Sequence, residues 1–570
     1  MRQALVVAAL LSCIGRGRRI QPPQSSRAAH AYGKLPKQVA LSSTTVTVGL
    51  ASQLGSFGAL LSVFSSDVAH AFAPPRIQPR LPTRALGVKR EREQIRRPLL
   101  VLRSSSAKAS HRKSRRIAVI GGGSAGIVAA RFLKRAGHLP RLFEAGQSFG
   151  GVWAESPTNR VVYKNLRTNL PTVVMQSPDL DFPAGFPSYV TKKQLGDYIE
   201  SYAREFDVTP LALFGATVTS IHLTNESAAD GEETWDVGWT SKGSSHRELF
   251  DAVVVASGHY SKAFKPSLPG EAEWLAASTS RAIVHSREYD DPEEFRGLTI
   301  LVVGGKSSGV DISRELRGVA KWVYVLDKKC TVPEVHGDEA VTYMPLGTRL
   351  CSDGRLRFGD ESESLEAPGP PVEQVVLATG YEYDFPFLDE SALGMRFRGR
   401  RYVTPLYRHL LHSARPTLGF VGIPIAIPCP IPFFETQAAY LAEFWAQPDP
   451  LVSAEERHHW VQQRLAAVGD RLQDMHLTKA AGGTGWDYMR DLLAQVHAVQ
   501  PPTSEGESWL ERPTWDSRLK TVQEVSRDRR SRYPKLPWHD DSYRRCEYKV
   551  DWASGNWIVE TGELELGVEG

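Results

Sequence analysis

Cysteine is scarce in this sequence of 570 residues. The five cysteines form no C-x-x-C pair, and they are Cys13, Cys330, Cys351, Cys429 and Cys546. This pattern excludes a redox-active dithiol and a zinc site built from cysteines. We therefore predict no bound metal.

Long apolar runs are missing from the body of the chain. Beyond residue 112, no segment reaches the roughly 18 uncharged apolar residues that a membrane-spanning helix needs. Acids, in contrast, are rare only near the N-terminus: residues 1–116 hold 21 lysines and arginines against three acids, a net charge of +18. Because the whole chain carries +5, the remainder carries −13. An acidic body argues against nucleic acid or membrane as its partner.

The first 112 residues have the composition of a targeting presequence. Residues 4–14 are an apolar run behind Arg2, and a second uncharged stretch covers residues 38–66. Residues 72–116 are rich in arginine and serine, which is typical of transit peptides. The sequence at residues 71–74, Ala-Phe-Ala-Pro, resembles the bipartite plastid presequences of algae with secondary red plastids, so we predict a plastid location. An ER or secretory location, a membrane anchor in the uncharged stretch and a mispredicted start are the alternatives.

A strand, a glycine turn, a helix and a second strand follow in order within residues 116–144. Apolar residues 117–120 have strand length, and apolar residues recur at helical spacing after the turn. The turn has the spacing G-x-G-x-x-G, with Gly121, Gly123 and Gly126. These glycines allow a tight turn, close approach of backbone N–H groups to a pyrophosphate, and close packing of helix on strand. Glu144 follows 18 residues after Gly126, close to the roughly 20 expected for an acid that holds a ribose hydroxyl.

A second unit of the same kind starts at residue 298. A strand over residues 298–303 leads into a turn with Gly304 and Gly309, a helix over 310–316 and a strand over 323–326. Lys306 replaces the middle glycine, so this pattern alone is weaker than the first. Two dinucleotide units in one chain predict hydride transfer between a nicotinamide and a flavin.

We therefore predict an α/β fold of two Rossmann-like domains, with the NADP domain inserted in the FAD domain. The apolar runs at residues 253–255 and 375–377, each followed by an A-T-G-like turn, indicate the two crossings between domains. The predicted ranges are a presequence (1–112), the FAD domain (113–262 and 373–447), the NADP domain (263–372) and a C-terminal extension that packs on the body (448–570).

The chain resembles a flavin-containing monooxygenase, and in particular the plant branch that S-oxygenates glucosinolates. The resemblance covers roughly residues 116–445 and rests on GGGSAG at 121, GGVW at 150, Thr168-Asn169, GHYS at 258, VVGGKSSGVDISRE at 302, LATGY at 377 and the stretch from PLYRHLL to FFETQ. It implies FAD on the first unit and NADPH on the second. It also implies transfer of one oxygen atom from a C4a-hydroperoxyflavin to a soft nucleophile, a thioether sulfur or otherwise an amine nitrogen.

The resemblance also assigns roles to residues. Asn169 is the predicted catalytic residue, as a hydrogen-bond donor to the oxygenated flavin, and Glu435 is expected near the flavin edge. The residues expected to bind the cofactors are Gly121, Gly123, Ser124, Gly126, Glu144, Gly151, Trp153, Thr168, Gly304, Ser308, Gly309, Asp327, Lys328, Thr379, Gly380 and Gln437.

The chain departs from the family pattern at two places. The family's F-x-G-x-x-x-H-x-x-x-[Y/F] stretch survives only from His285 to Tyr289, so His285 could equally be a hydrogen-bonded loop residue. Asp327 and Lys328 stand where relatives place a small polar residue and arginine, which predicts a weaker preference for NADPH over NADH. A flavin disulfide reductase and a peroxide-releasing NADPH oxidase or redox sensor remain as alternatives; the cysteine pattern disfavours the first.

Overall fold

The computed structural model describes residues 112–155, 161–225, 232–336, 340–359, 365–448, 450–478, 484–499, 512–532 and 541–561. The predicted presequence and its plastid address lie outside these residues, apart from Arg112. In chain order the strands are β1 (Arg116–Ile120), β2 (Leu139–Glu144), β3 (Ala212–Phe214), β4 (Thr217–Leu223), β5 (Trp235–Ser241), β6 (Ser244–Phe250), β7 (Ala252–Val255), β8 (Lys262–Ala263), β9 (Ala282–His285), β10 (Thr299–Val303), β11 (Trp322–Leu326), β12 (Glu334–His336), β13 (Val341–Met344), β14 (Arg349–Leu350), β15 (Leu356–Phe358), β16 (Leu365–Glu366), β17 (Gln374–Leu377), β18 (Tyr381–Glu382), β19 (Leu406–Tyr407), β20 (Leu411–His412), β21 (Leu418–Phe420), β22 (Cys546–Asp551) and β23 (Asn556–Thr561). The α-helices are α1 (Ser124–Arg135), α2 (Thr172–Met175), α3 (Lys192–Glu205), α4 (Glu271–Ala276), α5 (Ser307–Leu316), α6 (Glu390–Leu393), α7 (Pro430–Ala446), α8 (Ala454–Val468), α9 (Gly485–Val499) and α10 (Arg512–Arg532).

The first sheet has the strand order β19-β20-β21-β7-β1-β2-β3. Its central strand β1 pairs in parallel with β2 and β7. Ile117 and Val119 belong to the core on one face of the sheet, and Ala118 and Ile120 to the core on the other. A strand covered on both faces requires the continuous apolar run seen in the sequence. The predicted strand, turn, helix and strand of the first unit are thus confirmed.

The second sheet has the order β12-β13-β11-β10-β17-β9. Its central strand β10 pairs in parallel with β11 and β17, and α5 connects β10 to β11 as α1 connects β1 to β2. Helix α5 begins at Ser307, three residues before the predicted start. Both units therefore have the α/β architecture with parallel sheets that the sequence predicts.

The chain passes between the two sheets through a two-stranded ribbon. β8 leads out of the first sheet and pairs antiparallel with β18, which leads back. The second unit is therefore inserted in the first. The prediction that residues 373–447 lie wholly in the first unit is wrong, because β17 pairs with β10 and β9 of the second sheet. An apolar run of strand length suits either sheet, so the sequence could not decide between them.

The C-terminal extension packs on the first unit, as predicted. Met489, Leu492, Val525 and Tyr548 join the core that surrounds α7. Helix α7 is buried along nearly its whole length, and both α1 and α9 contact it. None of the described helices combines the length and apolar character needed to cross a membrane.

Candidate active site

The first glycine turn brings β1, α1 and the end of β7 into close contact. Gly121 has φ of +110°, and a Cβ atom there would lie 2.7 Å from the carbonyl oxygen of Ala256. A Cβ atom at Gly126 would lie 1.8 Å from the carbonyl oxygen of Gly121. Gly123 is less crowded, with the Cα of Gly151 as nearest neighbour at 3.5 Å. Gly121 and Gly126 thus bring α1 onto the turn, while Gly123 leaves space for a ligand.

Glu144 lies against this turn. One carboxylate oxygen accepts a hydrogen bond from the backbone N–H of Gly122 at 2.6 Å, and the other accepts one from Gly146 at 2.6 Å. The carboxylate is therefore fixed at the carboxyl end of β2, beside the start of α1. This is the place where the predicted ribose contact would form.

The second turn repeats the geometry of the first. Gly304 has φ of +117°, and a Cβ atom at Gly309 would lie 1.6 Å from the carbonyl oxygen of Gly304. Lys306 precedes α5 with φ of −100°, a value open to any residue, and its side chain is exposed. The loss of the middle glycine therefore leaves the turn intact.

Asp327 has the same relation to the second turn as Glu144 has to the first. It is buried at the end of β11, and a Cβ atom at Gly305 would lie 2.2 Å from its carboxylate. The carboxylate accepts a hydrogen bond from the N–H of Lys329 at 3.0 Å. Lys328 is exposed next to it. The acid that bears on the predicted NADPH preference is thus held at the turn, and its effect on that preference stays a prediction.

One cavity of about 220 Å³ reaches both turns. Ser124 lines it from the start of α1, and Ser307 and Ser308 line it from the start of α5. Trp153, Thr168 and Asn169 line it as well. The remaining lining residues are Tyr163, Leu166, Arg167, Leu170, Met175, Leu195, Ile199, Asp311, Pro430 and Ile431.

Asn169 is held by its backbone neighbours. The N–H of Thr168 donates to the carbonyl of Val190 at 3.0 Å, and Arg167 pairs with Thr191 as an isolated bridge. The Asn169 side chain is exposed in the cavity and makes no hydrogen bond to another described residue. The Thr168 hydroxyl is buried and likewise lacks a partner within the described part of the chain. Unpartnered polar groups beside a glycine turn fit a site for a polar cofactor.

Asp311 is the carboxylate of the cavity wall, and its charge is well compensated. It forms ion pairs with Arg314 and Arg544 and accepts a hydrogen bond from the Tyr163 hydroxyl at 3.2 Å. Burial, together with the Asp311 charge, raises the pKa of Tyr163 well above its usual value, so that this phenol stays neutral. No functional role for Tyr163, Asp311 or Arg544 is predicted from the sequence.

Thr379 and Gly380 lie at the crossing between the units and do not line the cavity. The Thr379 hydroxyl donates to the carbonyl of Phe264, and His285 Nε2 donates to the carbonyl of Gly380 at 3.0 Å. His285 Nδ1 accepts from the N–H of Arg287, and burial lowers the pKa of His285. His285 is therefore a neutral, hydrogen-bonded residue that fastens β9 to the crossing.

Gln437 and Glu435 are both fully buried on α7, but they have different surroundings. The Gln437 carbonyl oxygen accepts from the N–H of Gly422 at 3.0 Å, and Gly422 lies against Ala125 at the start of α1. Gln437 therefore supports the first turn from behind.

Glu435 lies in a buried polar cluster. It accepts hydrogen bonds from Ser177 at 2.7 Å, Tyr202 at 2.8 Å and Arg131 at 3.1 Å. It does not line the cavity, and its expected place near the flavin edge stays a prediction.

Comparisons with known proteins identify the architecture. A family model described as flavin-binding monooxygenase-like matches residues 114–333. The Arabidopsis thaliana flavin-containing monooxygenase FMO GS-OX-like 2 is 33% identical over 58% of this chain and 73% of its own length. The Arabidopsis protein FMO GS-OX5 is 30% identical over 75% of this chain and 92% of its own length.

Solved structures agree with this result. S-allyl-L-cysteine S-oxygenase from Allium sativum matches with a TM-score of 0.62 and 28% identity, over 76% of this chain and 96% of its own. Tmm from Pelagibacter sp. strain HTCC7211 shares the fold, with a TM-score of 0.60 and 19% identity over 78% of this chain and 95% of its own. The chain belongs to the flavin-containing monooxygenase family, whose members are oxidoreductases that use FAD and NADPH as cofactors.

Proposed function

We propose that this enzyme transfers one oxygen atom of dioxygen to the sulfur of a small thioether. The reaction balances as NADPH + H⁺ + O₂ + thioether → NADP⁺ + H₂O + sulfoxide. The observation that carries the proposal is the cavity that reaches both glycine turns and has a largely apolar wall. Such a wall excludes water and suits an uncharged, soft nucleophile.

The residues present fit both cofactors. The turn at Gly121 and the start of α1 would hold the pyrophosphate of FAD, and the turn at Gly304 and the start of α5 that of NADPH. NADPH supplies the hydride, and FAD supplies the oxygen activation. The protein supplies binding, orientation and exclusion of water.

Asn169 has the properties that the oxygen-transfer step requires. A carboxamide donates hydrogen bonds without acting as a base, so it can stabilise developing negative charge without removing a proton. Tyr163 stays neutral, and the carboxylate of Asp311 is engaged by two arginines. Among the described residues of the wall, no carboxylate other than Asp311 is present to act as a base.

Two considerations favour sulfur over nitrogen. An alkylamine has a pKa near that of lysine, about 10.4, and must lose its proton before it enters an apolar cavity without a large desolvation cost. A thioether is neutral at every pH. The similarity to the garlic S-oxygenase, at 28% identity, points the same way.

The test is a substrate panel with full accounting of electrons. Purified enzyme would be given NADPH, dioxygen and either methyl thioethers or tertiary amines, and NADPH loss, oxygenated product and hydrogen peroxide would be measured together. We expect sulfoxide in near-equal amount to the NADPH consumed. Oxygenated amines without sulfoxide would refute the substrate class. Peroxide equal to NADPH with every substrate would instead identify an NADPH oxidase.

A further inference from the structure

Arg544, from the C-terminal extension, reaches the wall of the cavity. Its Nη2 atom donates to both carboxylate oxygens of Asp311, at 3.2 and 3.1 Å. Its Nε atom donates to the backbone carbonyl of Thr168 at 3.2 Å. The side chain is 9% exposed. One buried guanidinium therefore binds a residue of each dinucleotide unit.

Both of these partners stand next to functional groups. Asp311 is on α5, one turn after Ser307, where the second glycine turn opens into the cavity. Thr168 immediately precedes Asn169. A shift of Arg544 would therefore be transmitted to the start of α5 and to the backbone of Asn169.

The segment that carries Arg544 is itself fixed to the first unit. Glu547 accepts a hydrogen bond from the N–H of Ser188 at 2.8 Å, and the Ser188 hydroxyl accepts one from the N–H of Tyr548 at 2.8 Å. The rings of Tyr189 and Tyr543 pack edge to face at 5.5 Å. Because the next residue, Val190, accepts the hydrogen bond of Thr168, Arg544 and Asn169 share one backbone support.

We propose that Arg544 is a positioning residue that holds the second unit and Asn169 in their productive relative position, so that the dioxygen reduced at the expense of NADPH gives oxygenated substrate and water rather than hydrogen peroxide. This role of Arg544 rests on the proposed oxygen transfer. Arginine suits this role because its planar fork can bind a carboxylate and a carbonyl at the same time. Without it, the Thr168 carbonyl loses a donor and Asp311 loses one of two cations. The second unit then gains freedom relative to Asn169, and a misplacement of about 1 Å can cost on the order of a hundredfold in rate.

The experiment compares Arg544→Met and Arg544→Lys with a matched control, Arg545→Met. Arg545 is the neighbouring residue, is exposed, and makes no hydrogen bond or ion pair to another described residue. The readout is sulfoxide and hydrogen peroxide formed per NADPH at saturating thioether, with FAD content and Tm measured in parallel. We expect sulfoxide per NADPH to fall several-fold in Arg544→Met, with peroxide making up the difference, and to fall less in Arg544→Lys. Arg545→Met should match the wild type.

A double-mutant cycle with Asp311→Asn tests the contact itself. If the two side chains act through their contact with each other, sulfoxide per NADPH should fall no further in the double variant than in the more damaged single variant. If Arg544→Met purifies without FAD, the comparison uses Arg544→Lys and Asp311→Asn. A wild-type ratio of sulfoxide to NADPH in the Arg544 variants, or an equal loss in Arg545→Met, would overturn the proposal.

Failure of the proposed function would be seen separately, in the wild type. If the wild type oxygenates amines only, the same ratio is measured with an amine. If it releases peroxide alone, the proposed oxygen transfer has failed, and the role of Arg544 is tested by the rate at which NADPH reduces the flavin. A reduction rate in Arg544→Met equal to that of the wild type would then refute it.

Discussion

Replacing Gly126 with alanine places a methyl group where the structure leaves no room. The new Cβ would lie 1.8 Å from the carbonyl oxygen of Gly121, whereas ordinary contact begins at 3.4 Å. Helix α1 must therefore move from the turn by roughly 1.5 Å, since backbone cannot rotate aside as a side chain can. Overpacking of this kind costs about 1–3 kcal/mol, and we expect the upper end because the obstacle is backbone.

Alanine at Gly123 is the matched control, since it enters the same turn without a clash. Its Cβ would lie 3.5 Å from the Cα of Gly151, and Gly123 has φ of −75°, so neither crowding nor backbone strain arises. We expect the free energy of unfolding of the apoprotein to change by less than about 0.5 kcal/mol. FAD binding should still weaken, because the methyl group occupies the space through which a pyrophosphate approaches.

The assay measures two quantities on each full-length variant: the unfolding midpoint of the FAD-free protein in denaturant, and the dissociation constant of FAD. Gly126→Ala should lower the midpoint and weaken FAD binding by on the order of tenfold or more, which corresponds to about 1.4 kcal/mol. Gly123→Ala should weaken FAD binding alone. An unchanged midpoint for Gly126→Ala would refute the packing argument. Unchanged FAD affinity in Gly123→Ala would remove the pyrophosphate from this turn.

Three further changes test other parts of the molecule. Asn169→Ala should lower the rate of sulfoxide formation on the order of a hundredfold, because one preorganised donor contributes roughly 2.7–4 kcal/mol. NADPH should still reduce the flavin, with dioxygen then released as hydrogen peroxide, and a wild-type rate of sulfoxide formation would exclude the role. Asp327→Ser should raise the ratio of kcat/KM for NADPH over NADH by on the order of tenfold, because it removes a carboxylate that repels a 2′-phosphate. An unchanged ratio would show that Asp327 does not affect the preference for NADPH over NADH. Burial lowers the pKa of His412 to about 4. Between pH 6.5 and 4 the unfolded chain therefore binds a proton at His412 that the folded protein does not bind, so the stabilisation of the folded state by neutral His412, up to about 3 kcal/mol, is complete above pH 6.5 and is lost as the pH falls towards 4. His412→Gln should therefore reduce the number of protons taken up on unfolding between pH 6.5 and 4 by up to one, so that the free energy of unfolding, measured with urea across that range, falls less steeply. A pH dependence identical to that of the wild type would contradict the assignment.

Local pattern was enough to predict the two glycine turns. The apolar runs before Gly121 and Gly304 are central strands, because a strand covered on both faces admits few polar residues. The loss of glycine at Lys306 weakened the second pattern in the sequence but has no structural cost, because φ there is negative. Sequence alone cannot report this, since it carries no record of φ.

The rest of the site is assembled over long distances in the chain. Arg544 and Asp311 are separated by 233 residues, and no spacing or composition links them. Likewise, Glu435 stands two residues before Gln437 in the same motif, yet it pairs with Arg131 in the core while Gln437 supports Gly422. Residues two apart on a helix point in different directions, so a shared motif does not imply a shared environment.

The two-stranded ribbon of β8 and β18 has a consequence for the order of folding. Between its two strands, the chain contributes every strand of the second sheet, over residues 282–377, and none of the first. The inserted unit can therefore complete its sheet from local segments as soon as it leaves the ribosome. The first sheet must wait, because β7 pairs with β21, and Val253 can pair with Leu418 only when the chain has been made 165 residues further. During synthesis we therefore expect the inserted unit to become protected from proteolysis before the unit that surrounds it.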